Sequence, residues 1–296
     1  MNVLVIPSWW PHRCFPWEGS FLAEQAEAIA ACRPGWNVGL SLWGQGEGFV
    51  STAHLLRSPR CLFDALALRP GERERAAGVV EFLEPALWWP ERLLGGNRAT
   101  LLAANRRNLE RARRRFGSVD VIHAHVAYPA GWLAMRLGAE TGVPYVVTEH
   151  MGPFPLPVYA RRDGRLKAVL REPLERAAAR IAVSPALART IAGFGLPEPE
   201  VIPTLVDDRP VEGPPREAGS FTFFTLAALD PVKGVDDLLK AAARFLGGLP
   251  ERARARVRFR IAGDGPQRAA LAREARELRL EANVAWRGAL PREQAR

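Results

Sequence analysis

Short unbroken apolar runs alternate with stretches of helical period along most of the chain. Residues 3–6, 38–43, 79–83, 119–124, 143–148, 181–183 and 201–202 read as strands. Their apolar residues are continuous rather than alternating, the pattern of strands covered on both faces. Between them, residues 21–31, 98–116, 130–139, 166–179 and 185–192 read as helices. In the second of these, Leu101, Leu102, Asn105, Leu109, Ala112 and Phe116 trace one stripe and arginines cover the rest. Residues 44–78 fit neither period and are expected to be irregular.

Residues 207–220 break the rhythm with Pro210, Gly213, Pro214, Pro215 and Gly219, the composition of a linker. Strand and helix then alternate again: strands at 221–226, 257–262 and 284–286, helices at 235–246 and 267–278. Repeated strand–helix–strand units with right-handed crossovers build doubly wound parallel sheets. The expectation is an α/β chain of two doubly wound, Rossmann-like domains: residues 1–206, a linker at 207–220, and residues 221–296. About 80 residues follow the linker, roughly half of a usual doubly wound domain. The second domain is therefore expected to be incomplete, with an open sheet edge and an uncovered face.

Composition narrows the class. Hydrophobic residues make up 48% and charged residues 25% of the 296, which suits globular domains and excludes a disordered chain. The net charge of +9 is carried almost wholly by arginine, with lysine only at Lys167, Lys233 and Lys240. A compositional bias toward arginine explains this, and so does an anionic partner. Helix 98–116 carries seven arginines; a solvated outer helix and a peripheral contact with an anionic membrane are its two readings. No nucleic-acid-binding module is recognisable, so no nucleic-acid partner is expected. Cys14, Cys32 and Cys61 show no metal-like spacing, and the first residues read as a strand rather than a signal peptide. A cytoplasmic protein is expected.

In doubly wound domains, ligands bind where strands end and helices begin. Three such places carry chemistry. The loop after the first strand holds Trp9, Trp10, His12, Phe15, Trp17 and Glu18. Gly19 ends it at a helix N-terminus, where a ligand can approach the backbone. Its tryptophans either stack on sugar faces or pack the loop onto the domain. Thr148-Glu149-His150 changes abruptly from core to polar at a strand end. A lone histidine is more often structural, but this placement favours function. His123 and His125 close the neighbouring strand on one side, His125 nearer the edge and expected to line the cleft with Trp10 and Glu149. No carboxylate cluster accompanies the histidines, so no metal is expected. In the second domain, Asp230-Pro-Val-Lys233-Gly234 puts a lysine at a strand end before a helix, a good phosphate contact. Gly263-Asp-Gly265-Pro begins like a dinucleotide fingerprint but breaks at Arg268, which weakens a dehydrogenase reading.

Taken in order, these motifs resemble the large retaining glycosyltransferase family 4 of GT-B fold, in its exopolysaccharide-type members. The resemblance rests on Pro-Ser-Trp-Trp-Pro…Glu-Gly-Ser-Phe-Leu-Ala-Glu-Gln-Ala, Val-Asp-Val-Ile-His-Ala-His, Gly-Val-Pro-Tyr-Val-Val-Thr-Glu-His, Leu-Asp-Pro-Val-Lys-Gly and Ile-Ala-Gly-Asp-Gly-Pro. It implies that domain one binds a glycan or lipid-linked glycan acceptor and domain two a nucleotide-sugar donor, without a metal or other cofactor. By the same resemblance Gly19 lies near the donor phosphates, His150 is the catalytic-site histidine on the donor sugar, and Lys233 meets the diphosphate. Gly234, Gly263 and Gly265 join the donor site. Ala227-Ala228-Leu229 stands where the family carries Gly-Arg-Leu, so one cation is missing. The family's paired glutamates would lie downstream of residue 296, and weakened activity is expected. The alternative is a non-catalytic sugar- or acceptor-binding protein with a vestigial donor domain.

Overall fold

The computed structural model describes residues 1–11, 19–45, 66–87, 89, 97–206, 219–290 and 294. Most of the expected linker, and His12, Phe15, Trp17 and Glu18, lie outside the described residues. The chain divides into two compact units, Met1–Asp207 and Asp208–Arg296.

The first unit is built on β1 (Asn2–Pro7), β2 (Asn37–Leu42), β3 (Gly71–Ala76), β4 (Val79–Leu83), β5 (Val121–His125), β6 (Tyr145–Glu149), β7 (Ala179–Ala182) and β8 (Glu200–Val201). They form one sheet in the order β3-β4-β2-β1-β5-β6-β7-β8. All its neighbours pair in parallel except β3 with β4. β3 corrects the expectation of an irregular 44–78. Its sequence, Gly-Glu-Arg-Glu-Arg-Ala, has no apolar run because it is a mostly exposed edge strand, and charged side chains on an edge discourage pairing with another chain.

Side-chain alternation sorts β1 between two cores. Leu4 and Ile6 enter the larger cluster with Leu101, Leu109, Leu133 and Leu170. Val3 and Val5 enter a smaller one with Ala26 and Ala30 of α1 (Ser20–Cys32). The larger cluster lies under α2 (Arg98–Phe116), α3 (Trp132–Thr141), α4 (Ala168–Arg176) and α5 (Pro185–Ala192). Several arginines of α2 are paired within the protein. Arg106 makes two bonds to Glu140, and Arg107 and Arg111 both reach the buried Glu84, Arg111 at 2.6 Å. No described helix is long and apolar enough to cross a membrane.

The second unit holds β9 (Phe221–Leu226), β10 (Val257–Ala262) and β11 (Val284–Gly288), parallel, in the order β11-β10-β9. Helices α6 (Val235–Gly247) and α8 (Arg268–Glu277) share its core, where Leu239, Ala242, Leu246, Phe259, Ile261 and Leu271 are buried; α7 (Glu251–Arg254) is a single short turn. Among the described residues β9 is an edge strand, with Phe224 53% and Leu226 49% exposed, as the open sheet leads one to expect.

Candidate active site

The C-terminal ends of β1, β5 and β6 lie side by side in register, Pro7 beside His125 and His125 beside Thr148. The Ser8 hydroxyl stitches them: it donates to the His125 carbonyl at 2.8 Å and accepts from the Ala130 amide at 3.2 Å. Gly19 caps α1 with φ 67°, and a Cβ there would sit 2.7 Å from the Trp9 carbonyl oxygen. The chain's own turn at Trp9 thus demands glycine, whatever ligand approaches. Trp10 is half-buried against the smaller core, with the Arg75 guanidinium carbon 5.7 Å from its ring centroid.

The histidines form a ladder from the sheet toward α1. His123 and His125 rings lie 4.4 Å apart, His125 and His150 5.1 Å, and His150 and Phe21 5.1 Å. His123 Nε2 meets Thr148 Oγ1 at 2.7 Å, and His125 Nδ1 meets His150 Nε2 at 2.9 Å. His125 is only 2% exposed. Expected to line the cleft, it instead stands behind His150 and holds that ring. Burial pushes His150 and His123 down to about 4 and His125 well below its ordinary value. At neutral pH both partners of the His125–His150 bond are therefore uncharged, and one of them must donate. The tautomer of His125 then decides whether the outer nitrogen of His150 offers a proton or a lone pair.

Glu149 was also expected on the cleft side, but strand alternation turns it into the interior, where it is wholly buried. Its Oε2 accepts from the Ala127 amide and its Oε1 from the amides of His150 and Met151, each at 3.0 Å. Burial raises its pKa, against the three amides that lower it. The turn it grips is strained: Val126, a buried β-branched residue, has φ 77°. Glu149 is thus a bracket between two strand ends, a role the sequence did not signal.

These shifts set a pH dependence. The histidine pKa values fall below about 6.5 on folding, so the unfolded chain takes up protons first as pH drops. Stability present above pH 6.5 is lost toward pH 4. For His150 alone the loss between pH 7 and pH 5 is about 2 kcal/mol. Glu149 opposes it, because a raised carboxyl favours the folded state on acidification. Urea unfolding at both pH values should show the loss shrinking by about that amount in His150→Asn. An equal loss in both proteins would contradict the assignment.

In the second unit Lys233 is exposed at the end of a single 3-10 turn, Pro231–Lys233, which Asp230 caps by accepting from the Val232 amide. No ion pair joins Lys233 to another described residue, whereas Lys240 lies 3.1 Å from Asp236. Gly234, φ 63°, then opens α6. Gly263 has φ 134°, and a Cβ there would fall 1.8 Å from the Ala227 oxygen; at Gly265 it would fall 2.5 Å from the Leu229 oxygen. The Leu229 amide donates to Asp264 and the Gln267 amide to Leu229. The two glycines therefore let loops 227–229 and 263–266 pack backbone to backbone. Among the described residues, no three histidine, cysteine or carboxylate groups converge to hold a metal ion.

Solved structures with this fold include Anabaena Alr3699/HepE in complex with UDP and glucose, 17% identical over 98% of this chain and 70% of that one, with TM-score 0.58. Another is an α,α-trehalose-phosphate synthase (UDP-forming) from Burkholderia vietnamiensis, 14% identical over 100% of this chain and 75% of that one, with TM-score 0.55. The chain spans only 33% of the length of S. aureus TarM, at 18% identity and TM-score 0.43 over 57% of this chain, a likeness too partial to argue from. No curated protein matches it in sequence. Two family models do match: Glycosyl transferases group 1 over residues 211–296, and Glycosyltransferase Family 4 over residues 44–209. The second spans more than half of the chain, including His125, Glu149 and His150, and the chain belongs to Glycosyltransferase Family 4.

Proposed function

We infer that the protein transfers a sugar from a nucleotide-sugar donor to a glycan acceptor of the cell-surface or exopolysaccharide type, with retention of anomeric configuration. The observation that carries this reading is the His125–His150 pair at the strand-end edge, beside the N-terminus of α1. A half-buried, uncharged histidine locked by a second, buried one is a neutral hydrogen-bonding group of fixed direction, suited to a sugar hydroxyl rather than to a charge. In the second unit, Lys233 supplies an exposed cation for the leaving diphosphate, and Gly234, Gly263 and Gly265 join the donor site. Catalysis then rests on positioning and on neutralising the leaving group, with no metal required. The reaction takes place in the cytoplasm, where nucleotide sugars are made.

Calorimetry against UDP-, GDP- and ADP-sugars tests this. One of the panel should bind, and Lys233→Ala should weaken it by about tenfold to a hundredfold, the loss of one charge-assisted phosphate contact of about 1.5–3 kcal/mol. A folded chain that binds none of the panel would defeat the reading.

A further inference from the structure

The outer flank of the same strand-end edge holds a cavity of about 340 Å³ that the reading above does not use. Trp10, Gln45, Glu72, Arg73, Glu81 and Leu83 help to form its wall. The polar side is carried on strands and is therefore rigid. Arg73 faces Glu81 across the antiparallel β3–β4 pair; its Nε donates to Oε2 at 2.9 Å, and its Nη2 lies 2.7 Å from the same oxygen as an ion pair. The other Glu81 oxygen accepts from Arg75 Nη1 at 2.9 Å, and Arg75 Nε donates to Glu27 at 2.6 Å. Arg75 in turn lies over the Trp10 ring. One network thus fixes an aromatic wall and a polar wall against each other without a ligand.

The Glu81 side chain is 8% exposed, but that of Arg73 is 71% exposed and keeps N–H groups turned to solvent. Ion pairs alone would protect the edge strand; they do not account for a cavity with an aromatic side. Arg73 and Arg75 are balanced by Glu27, Glu72 and Glu81, so the cavity has no positive excess to hold an anion. Its size is at the lower end of the roughly 300–1,000 Å³ of small-molecule sites, which suits a small saccharide better than a nucleotide sugar.

We propose that this cavity is a subsite for a neutral pyranose ring of the glycan acceptor, with Trp10 against the ring's C–H face and Arg73 on its hydroxyls. The subsite rests on the glycosyltransferase reading, yet its occupancy needs no donor. The test is saturation-transfer NMR on the full chain, with no nucleotide present, using the methyl glycosides of glucose, galactose, mannose and N-acetylglucosamine at millimolar concentration. At least one should receive saturation on its ring C–H protons. Trp10→Ala and Arg73→Ala, each checked for a wild-type circular dichroism spectrum, should weaken binding by about fivefold, the equivalent of about 1 kcal/mol, and Trp10→Phe should retain it. No saturation of any of the four, or saturation unchanged in both alanine variants, overturns the subsite. A stronger Arg73-dependent signal from methyl glucuronide overturns the neutral-sugar assignment. Failure of wild-type protein to bind any nucleotide sugar counts against the proposed transfer reaction and leaves these results intact.

Discussion

Glu149→Ala is expected to lower the stability of the first unit by about 4 kcal/mol, because three backbone amides lose their acceptor at once, that of Ala127 in a buried site and those of His150 and Met151 in a part-buried one. Each orphaned buried donor costs about 1–3 kcal/mol, and a small cavity adds to it. Set against these losses is relief from burying the carboxylate itself, which keeps the sum below the simple total. For a unit of this size the unfolding midpoint should fall by about 10 °C, measured by circular dichroism. Glu149→Gln keeps one acceptor oxygen but puts an amide group where the other stood, so about half the loss should remain. The variant should also release the strained Val126 turn and with it the fixed seat of His150. A midpoint within about 2 °C of wild type would mean that the carboxylate is not what joins the ends of β5 and β6.

Gly263→Ala should be more damaging, and confined to the second unit. The new Cβ would lie 1.8 Å from the Ala227 oxygen, in a backbone conformation that alanine rarely adopts. Left-handed strain costs about 1–3 kcal/mol, and moving a packed backbone aside costs at least as much again. The Gly263 amide also donates to the Gly288 carbonyl and the Ala227 amide to the Ala262 carbonyl, so a shift there loosens all three strand ends. A small unit has only a few kcal/mol to lose. Limited proteolysis should cut within residues 219–290 of the variant while the first unit stays intact, and nucleotide-sugar binding should disappear. Gly247→Ala is the control: a Cβ there meets nothing within 4 Å, and the substitution should be neutral or slightly stabilising. A Gly263→Ala protein as resistant as wild type would show that the two loops have room to part.

Much of the fold was legible along the chain because buried parallel strands announce themselves as apolar runs. β1, β2, β9 and β10 fall within a residue or so of where those runs place them. α2 begins and ends at Arg98 and Phe116, as its stripe and the following Gly117 indicate. β3 was hidden because its own residues are charged and mostly exposed, so it carries no apolar run although most of its partners on β4 are apolar. α4 starts at Ala168 and ends at Arg176, inside the broader stretch of helical period, because both flanking residues, Lys167 and Ala177, are extended. The candidate site was legible in place more than in role. Motif order located His150, Glu149 and His125 at adjoining strand ends, but their exposure was misjudged for two of the three.

What the sequence determined by itself is what depends on nearest neighbours in the chain: the strand–helix rhythm, the positions of helix ends, and the glycine at position 19, where a tight turn meets a helix start. What only the tertiary structure decided is what depends on residues far apart: which way Glu149 faces, that His125 and His150 share a hydrogen bond across 25 positions, and that Gly263 touches Ala227. The reason is geometric. Local period dictates which face of a strand a side chain takes, but pairing and crossover connections decide what covers that face, and burial, pKa and hydrogen-bond partners all follow from the cover.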